Sequence, residues 1–216
     1  MTNSKTPKIR VYSLVSYDRS AKVRWLLSEL DVPFETHWVN RNKKENESPE
    51  FLRLNPMGRV PVLTVDDQVI FESGAICAYL GDLFQSKGMA PSLTSPERAE
   101  YLQWTHFSTT LDAFQIRIMV IEDIPAGEVQ KTKQAALQSD LRDAMQALDR
   151  TLSQKSFLVG DRFTNADIGV SYHLYWLRMW PELDEVIKDF PSVIHYLDRM
   201  KTTPSAIKAE VFSYEN

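Results

Sequence analysis

The spacing of apolar residues divides the chain into two parts. In the first part, short apolar runs predict strands at residues 9–12 and 33–39, and residues 22–30 carry apolar side chains on one helical face. After a short helix that ends near residue 54, two further strands flank the turn pair Asp66-Asp67 and lead into another amphipathic segment. These elements follow one another in the order βαβαββα.

The second part of the chain has a helical period throughout. Long helices are predicted at residues 99–121 and 129–152, separated by the breaker Pro125-Ala126-Gly127. Thr164 and Asp167 stand three residues apart, which is typical of a capping box at the start of a helix. Short helices are also predicted at residues 191–200 and 204–209.

A polar stretch at residues 88–96 separates the two parts. It contains Pro91 and Pro96, and its composition is typical of a linker. We therefore predict a mixed α/β domain at residues 1–87, followed by an all-helical domain at residues 97–216.

Composition excludes several classes of function. The net charge of −4 and the isoelectric point near 5.6 offer no basic stripe for nucleic acid. Cys77 is the single cysteine, so the chain has neither an internal disulfide framework nor a thiolate metal site. No apolar run reaches the length of about 18 residues that a membrane span needs. We expect a cytoplasmic protein without metal, nucleic acid or membrane partners.

The acidic–hydroxyl pair Glu72-Ser73 stands where the hairpin passes into a helix. A helix start presents free N–H groups and the positive end of its dipole, which suit a carboxylate ligand. A carboxylate side chain one residue earlier suits an ammonium group. The pair therefore predicts a site for an α-amino acid head group, and the alternative interpretation is an ordinary hairpin with Ser73 as N-cap.

The longer pattern resembles the glutathione-binding half of the glutathione S-transferase family. That family's pattern runs Asn-Pro-x-Gly-x-Val-Pro, a hairpin, then Glu-Ser at a helix start. All of its elements occur here in order, in Asn55-Pro56-Met57-Gly58-Arg59-Val60-Pro61 and Glu72-Ser73. The resemblance spans nearly the full chain, because the family also carries a capping box in its helical domain.

The resemblance implies a fold and a set of roles. The fold is a thioredoxin-like N-terminal domain followed by an all-helical C-terminal domain. Pro61 is expected to follow a cis peptide bond, and the Val60 backbone to pair with the cysteinyl part of glutathione. Glu72 and Ser73 match the family's binders of the γ-glutamyl group. Glutathione is the implied co-substrate, with no metal, and detoxification is the implied role.

The residue that activates the thiol is expected in the loop between the first strand and the first helix. A gap-free alignment with serine-type members of the family places Tyr17 at the activating position and Ser16 one residue earlier. We predict Tyr17 first and Ser16 second, with Tyr12, the match to tyrosine-type members, next in line. Asp18 and Arg19 are interpreted as a solvated loop pair.

The remaining expectations concern the other ligands. Asn46 falls nearest the position that binds the glycine carboxylate in relatives. Trp104 and Phe107 lie on an aromatic helix face that could contact an apolar electrophile, although such stripes usually belong to a core. The resemblance also implies a homodimer. The functions kept open are a glutathione transferase, a glutathione-dependent isomerase or dehalogenase, and a non-catalytic regulatory protein.

Overall fold

Four strands form one mixed sheet in the computed structural model, which describes residues 7–215. The strands are β1 (Ile9–Ser13), β2 (Glu35–Trp38), β3 (Val62–Val65) and β4 (Gln68–Phe71), and their order across the sheet is β2-β1-β3-β4. β1 runs parallel to β2 and antiparallel to β3, and β3 pairs antiparallel with β4.

Three helices accompany this sheet between residues 21 and 83. They are α1 (Ala21–Glu29), α2 (Pro49–Leu54) and α3 (Ser73–Leu83). The start of α2 shows how the sequence sets a boundary, because the Ser48 hydroxyl accepts a hydrogen bond from the Phe51 N–H at 3.2 Å and Pro49 occupies the first helical position. One-turn 3₁₀ helices occupy Arg41–Lys43, Glu45–Glu47 and Gln85–Lys87.

Six α-helices dominate the rest of the described chain. The helices are α4 (Arg98–Glu122), α5 (Glu128–Leu152), α6 (Asn165–Leu177), α7 (Pro181–Ile187), α8 (Pro191–Lys201) and α9 (Pro204–Lys208), followed by a 3₁₀ turn at Ser213–Glu215. A thioredoxin-like domain followed by a helical domain was predicted, and this fold class is confirmed.

The predicted capping box begins α6. The Asp167 carboxylate accepts hydrogen bonds from the Thr164 N–H at 2.8 Å and the Thr164 hydroxyl at 3.0 Å. It also accepts from the Leu158 N–H at 2.9 Å and the Tyr196 hydroxyl at 3.0 Å. Burial raises the pKa of Asp167, whereas these hydrogen bonds act to lower it. The carboxylate therefore joins four polar groups inside the helical unit.

The chain forms two compact units. One contains the described residues up to 89 together with those from 204 onward, and the other contains residues 90–203. The sequence interpretation had placed all of residues 97–216 in the helical domain. Residues from 204 onward instead group with the first unit, where Trp25 Nε1 donates to Ser205 Oγ at 2.9 Å and Arg24 Nη1 donates to the Ala209 carbonyl at 2.7 Å.

Candidate active site

The strand register places the C-terminal ends of β1, β2 and β4 and the N-terminal end of β3 at one edge of the sheet. Ser13 pairs with Trp38, so β1 and β2 end side by side. Val62, at the start of β3, pairs with Phe71, at the end of β4, and with Tyr12 near the end of β1. The segments that follow β1, β2 and β4, and the segment that precedes β3, therefore emerge at this edge. The residues proposed from the sequence to bind glutathione or activate its thiol lie in or beside these segments: Tyr12, Ser16, Tyr17, Asn46, Val60, Pro61, Glu72 and Ser73.

The segment before β3 is held by its own side chains. Asn55 is 2% exposed, and its Nδ2 donates to the Arg59 carbonyl at 2.7 Å while its Oδ1 accepts from the Met57 N–H at 3.1 Å. Gly58 has a φ of +61°, and a Cβ there would stand 2.8 Å from the Asn46 carbonyl oxygen. Only glycine fits this turn without strain, which accounts for its place in the motif.

Val60 presents an unpaired stretch of backbone beside β3. The Val60–Pro61 peptide bond is cis, as expected. The Val60 side chain packs against the buried cluster of Val39, Phe51 and Val62. Among residues 7–215, neither the N–H nor the C=O of Val60 has a hydrogen-bond partner. Such a free donor and acceptor can pair with an added extended peptide.

The start of α3 is uncapped and strained. Glu72 occupies the N-cap position with φ 71° and ψ 110°, a conformation that costs a non-glycine residue about 1–3 kcal/mol and that is typical of functional sites. No side chain caps the helix, so Ser73 is its first residue rather than its N-cap. The exposed Glu72 carboxylate and the free helix start thus stand together, as an amino acid head group requires.

The loop between β1 and α1 is organised by Asp18. Its carboxylate accepts hydrogen bonds from the N–H groups of Leu14 at 2.6 Å, Val15 at 3.0 Å and Ser20 at 2.6 Å. The interpretation of Asp18 as a solvated side chain was therefore wrong. An aspartate shortly before a helix start is a recognised signal for side chain–backbone bonding, and it pointed to this role.

The two predicted thiol activators lie in this loop and are half-buried. Ser16 Oγ is 3.2 Å from Ser213 Oγ, and the Tyr17 ring lies edge-on to the Tyr214 ring with centroids 5.0 Å apart. Neither of these two contacts was predicted from sequence, since Ser213 and Tyr214 lie nearly 200 residues further along the chain.

The third candidate activator, Tyr12, faces an interior cluster. Its ring packs on His37 with centroids 5.1 Å apart and on Phe51 at 6.0 Å. The Tyr12 ring on β1 thus contacts both the neighbouring strand β2 and α2.

Asn46 connects two of the edge segments. Its Nδ2 donates to the Gly58 carbonyl at 3.2 Å. The preceding Glu45 carboxylate accepts from the Asn40 N–H at 2.7 Å and pairs with His37 Nε2 at 2.6 Å, and these bonds hold the pKa of Glu45 below its usual value. The loop after β2 is therefore closed by local polar contacts, with the exposed cations Arg41, Lys43 and Lys44 around it.

Trp104 and Phe107 lie on α4 in the helical unit. Trp104 is 5% exposed and Phe107 is half-buried, and their rings meet edge-on with centroids 5.2 Å apart. Trp104 thus belongs to the interior of that unit. Phe107 has the more accessible ring of the two.

Three further observations concern the described part of the chain. Residues 7–215 contain no cluster of three or more His, Cys, Asp or Glu side chains able to hold a metal ion. Cys77 is buried, and desolvation raises the pKa of its thiol to about 12, so it is not a nucleophile at neutral pH. In this same part of the chain no helix has the length and apolar character needed to cross a membrane.

Comparison with protein families matches two models. Residues 7–82 match the glutathione S-transferase N-terminal domain, and residues 131–199 match the glutathione S-transferase C-terminal domain. Together they cover the sheet edge described above and much of the helical unit.

Curated relatives fall into two groups. Glutathione S-transferase 1 of Schizosaccharomyces pombe is 28% identical over 200 residues, which are 86% of this chain and 87% of that protein. Elongation factor 1-gamma of Prunus avium is 34% identical over 167 residues, which are 74% of this chain but only 37% of that protein. The chain thus spans most of the first relative and about a third of the second.

Solved structures share the fold. A glutathione transferase family member from Pseudomonas fluorescens with two glutathione bound superposes with a TM-score of 0.81 at 24% identity, covering 96% of this chain and 94% of that one. Ure2p in complex with glutathione superposes with a TM-score of 0.78 at 23% identity, covering 95% and 100%.

Proposed function

Because the chain belongs to the glutathione S-transferase family, we propose that it is a transferase that conjugates glutathione to small, largely apolar electrophiles. One observation carries this proposal. The unpaired Val60 backbone, the uncapped start of α3 and the loop of Ser16 and Tyr17 emerge at the same edge of the sheet.

Each part of this edge suits one part of the tripeptide. The Val60 N–H and C=O pair with the cysteinyl backbone as an added strand would, with buried Pro61 leading on into β3. Ser73 and the free N–H groups of α3 take the γ-glutamyl carboxylate, and the Glu72 carboxylate takes its ammonium. Asn46, which is hydrogen-bonded to the Gly58 carbonyl, is assigned to the glycine carboxylate of the tripeptide.

The chemistry requires the thiol as thiolate. A free thiol has a pKa of about 8.5, so only a few per cent is ionised at neutral pH. A hydroxyl that donates to the sulfur stabilises the anion, which then forms a bond to the electrophilic carbon as the electron pair moves to the leaving or accepting group. We assign this hydroxyl to Tyr17 first and to Ser16 second.

The second substrate and the assembly are also parts of the proposal. Phe107 is the apolar group assigned to contact the electrophile, and the buried Trp104 supports it through their edge-on ring contact. A two-fold dimer is expected from the family's architecture. Light scattering at micromolar concentration should report twice the chain mass of 24.9 kDa, and the single mass would contradict the dimer.

Two alternative functions share this fold. The first is a glutathione-dependent isomerase or dehalogenase, which would need the same glutathione-binding residues, Val60, Glu72 and Ser73. The second alternative is a non-catalytic regulatory role. It is supported by the similarity to elongation factor 1-gamma and to Ure2p, neither of which is named as a transferase.

Retention on immobilised glutathione, followed by a conjugation assay with a chloronitrobenzene, separates these functions. Retention with conjugation supports the transferase. Retention without conjugation favours an isomerase, a dehalogenase or a regulatory protein. A chain that passes through the column without retention would contradict the proposed glutathione site. Ser73→Ala is the matched variant and should be retained less than the parent.

A further inference from the structure

The segment Pro204–Tyr214, here called the C-terminal segment, packs against α1 and the loop that carries Ser16 and Tyr17. All of these residues belong to the same unit. The contacts are a hydrogen bond to a backbone carbonyl, a hydrogen bond from an indole N–H to a hydroxyl, one pair of hydroxyls and two edge-on ring pairs. They comprise Arg24 with Ala209, Trp25 with Ser205 and Phe212, Ser16 with Ser213, and Tyr17 with Tyr214.

Arg24 joins the loop to the C-terminal segment directly. Its guanidinium is buried, donates through Nη1 to the Ala209 carbonyl at 2.7 Å and donates through Nη2 to the Ser16 carbonyl. The same group lies over the Trp38 ring, 5.3 Å from its centroid. A guanidinium is a rigid planar fork, so the two carbonyls are held at a fixed separation.

The proton positions around Ser213 follow from counting donors. The Ser213 hydroxyl has one proton and donates it to the Glu210 carbonyl at 2.9 Å. In its 3.2 Å contact with Ser16 it must therefore accept. Hence Ser16 directs its own hydroxyl proton at Ser213. That proton is not available to a sulfur anion while the contact lasts.

We propose that the C-terminal segment restrains the activating loop and keeps the Ser16 proton on Ser213. Arg24 and Ser213 are the positioning residues of this restraint. The consequence for the thiol rests on the proposed function: with Ser16 withheld, the Tyr17 hydroxyl performs the activation. The restraint itself does not depend on glutathione and is measured without it.

Amide hydrogen exchange in the free protein tests the restraint. The N–H groups of Leu14 and Val15 are bonded to Asp18, so their exchange requires the loop to open. Ser213→Ala should speed their exchange at least about threefold. Ser153→Ala is the matched control, because Ser153 also donates to a carbonyl three residues earlier, at 3.0 Å, and lies in the helical unit.

Arg24→Lys provides an independent variant. A lysine is a point donor and cannot hold both carbonyls in the geometry of the guanidinium fork. It should speed the same amides, whereas Arg199→Lys, which alters an exposed arginine that also donates to two carbonyls, should not. Unchanged loop exchange in both Ser213→Ala and Arg24→Lys would overturn the restraint.

The Tyr17→Phe background tests the withheld proton. The double variant Tyr17→Phe/Ser213→Ala should conjugate at pH 7 at least about threefold faster than Tyr17→Phe. The pKa of the bound thiol should also be lower in the double variant, because the Ser16 hydroxyl is free to donate to the sulfur. Adding Ser16→Ala should abolish the gain. Equal rates in the single and double variants would overturn this part. Faster loop exchange in a chain that fails to bind glutathione would support the restraint and contradict the proposed function.

Discussion

The starts of α3 and α6 have opposite designs. At α6, Thr164 and Asp167 are buried, and the Asp167 carboxylate accepts hydrogen bonds from Thr164 and from the Leu158 N–H. At α3, Glu72 is exposed, has a positive φ and makes no cap, and Ser73 follows as the first helical residue. A helix start that is satisfied internally stabilises the fold, whereas one left open retains its donors and dipole for a ligand.

Two carboxylates make the same contrast in electrostatic terms. Asp167 and Glu45 both accept hydrogen bonds from backbone N–H groups. The pKa of Asp167 is raised because burial outweighs its hydrogen bonds, whereas the pKa of the more exposed Glu45 is lowered by the Asn40 N–H and by His37. Burial therefore decides the sign for two carboxylates with similar partners.

The largest expected effect is at the satisfied helix start. Asp167→Ala leaves the N–H groups of Leu158 and Thr164 buried without an acceptor, and the Tyr196 hydroxyl keeps only the carbonyl of residue 167, at 3.3 Å. The free energy of unfolding should fall by about 3 kcal/mol, measured by urea denaturation. Asp143→Ala, at an exposed position on α5, is the control and should change it by less than about 0.5 kcal/mol. Equal losses in the two variants would contradict the stabilising role of the box.

The next largest effect concerns the Tyr17 hydroxyl and the pKa of the bound thiol. Tyr17→Phe keeps the ring packed on Tyr214 and removes the hydroxyl. If Tyr17 donates to the sulfur, the pKa of the bound thiol should rise by at least one unit, equivalent to about 1.4 kcal/mol, and conjugation at pH 7 should fall roughly tenfold. Thiolate absorbance titrated against pH measures the shift. Tyr79→Phe, which removes an exposed hydroxyl bonded to Gln68 at 2.6 Å, should leave it unchanged.

A matched pair of substitutions separates the two helix starts. Thr164→Ala should lower the free energy of unfolding by about 1 kcal/mol without changing glutathione affinity, because a cap is lost. Ser73→Ala should leave unfolding within about 0.5 kcal/mol of the parent, since Ser73 caps nothing. If Ser73→Ala destabilises as much as Thr164→Ala, then α3 has a structural start and the contrast fails.

The smallest effect is the pH dependence from Glu45. Its folded-state pKa lies below the unfolded value, so its contribution to stability is present above pH 4.5 and is lost as the pH falls through the folded pKa. Glu45→Gln should cost less than about 1 kcal/mol at pH 7, and the difference from the parent should shrink below pH 4.5. Glu50→Gln, at an exposed salt bridge 3.4 Å from Arg53, should follow the parent curve; a Glu45→Gln curve parallel to the parent would contradict the assignment.

Features set by local sequence were predictable. The hairpin, the start of α3 and the capping box each depend on residues within a few positions of one another, whereas the cis bond before Pro61 was expected from the family resemblance. Turn chemistry and helical periodicity act over such distances, so a single sequence contains the signal.

Features set by distant contacts were not. The C-terminal segment joins the first unit through pairs such as Trp25 and Ser205, which are 180 residues apart, and no local pattern encodes them. For the same reason the partner of Ser16 could not be found from sequence. Asp18 is a different case, because its bonds to Leu14 and Val15 are local and an aspartate just before a helix start is a sequence signal for them.

Calorimetric titration of glutathione at pH 7 tests the central claim most directly. The account predicts binding by the parent and by Thr164→Ala with equal affinity. Ser73→Ala should bind about 5- to 30-fold more weakly, which corresponds to the loss of one charge-assisted hydrogen bond worth about 1–2 kcal/mol. An absence of binding in the parent, or an affinity unchanged by Ser73→Ala, would contradict the claim that the open start of α3 binds glutathione.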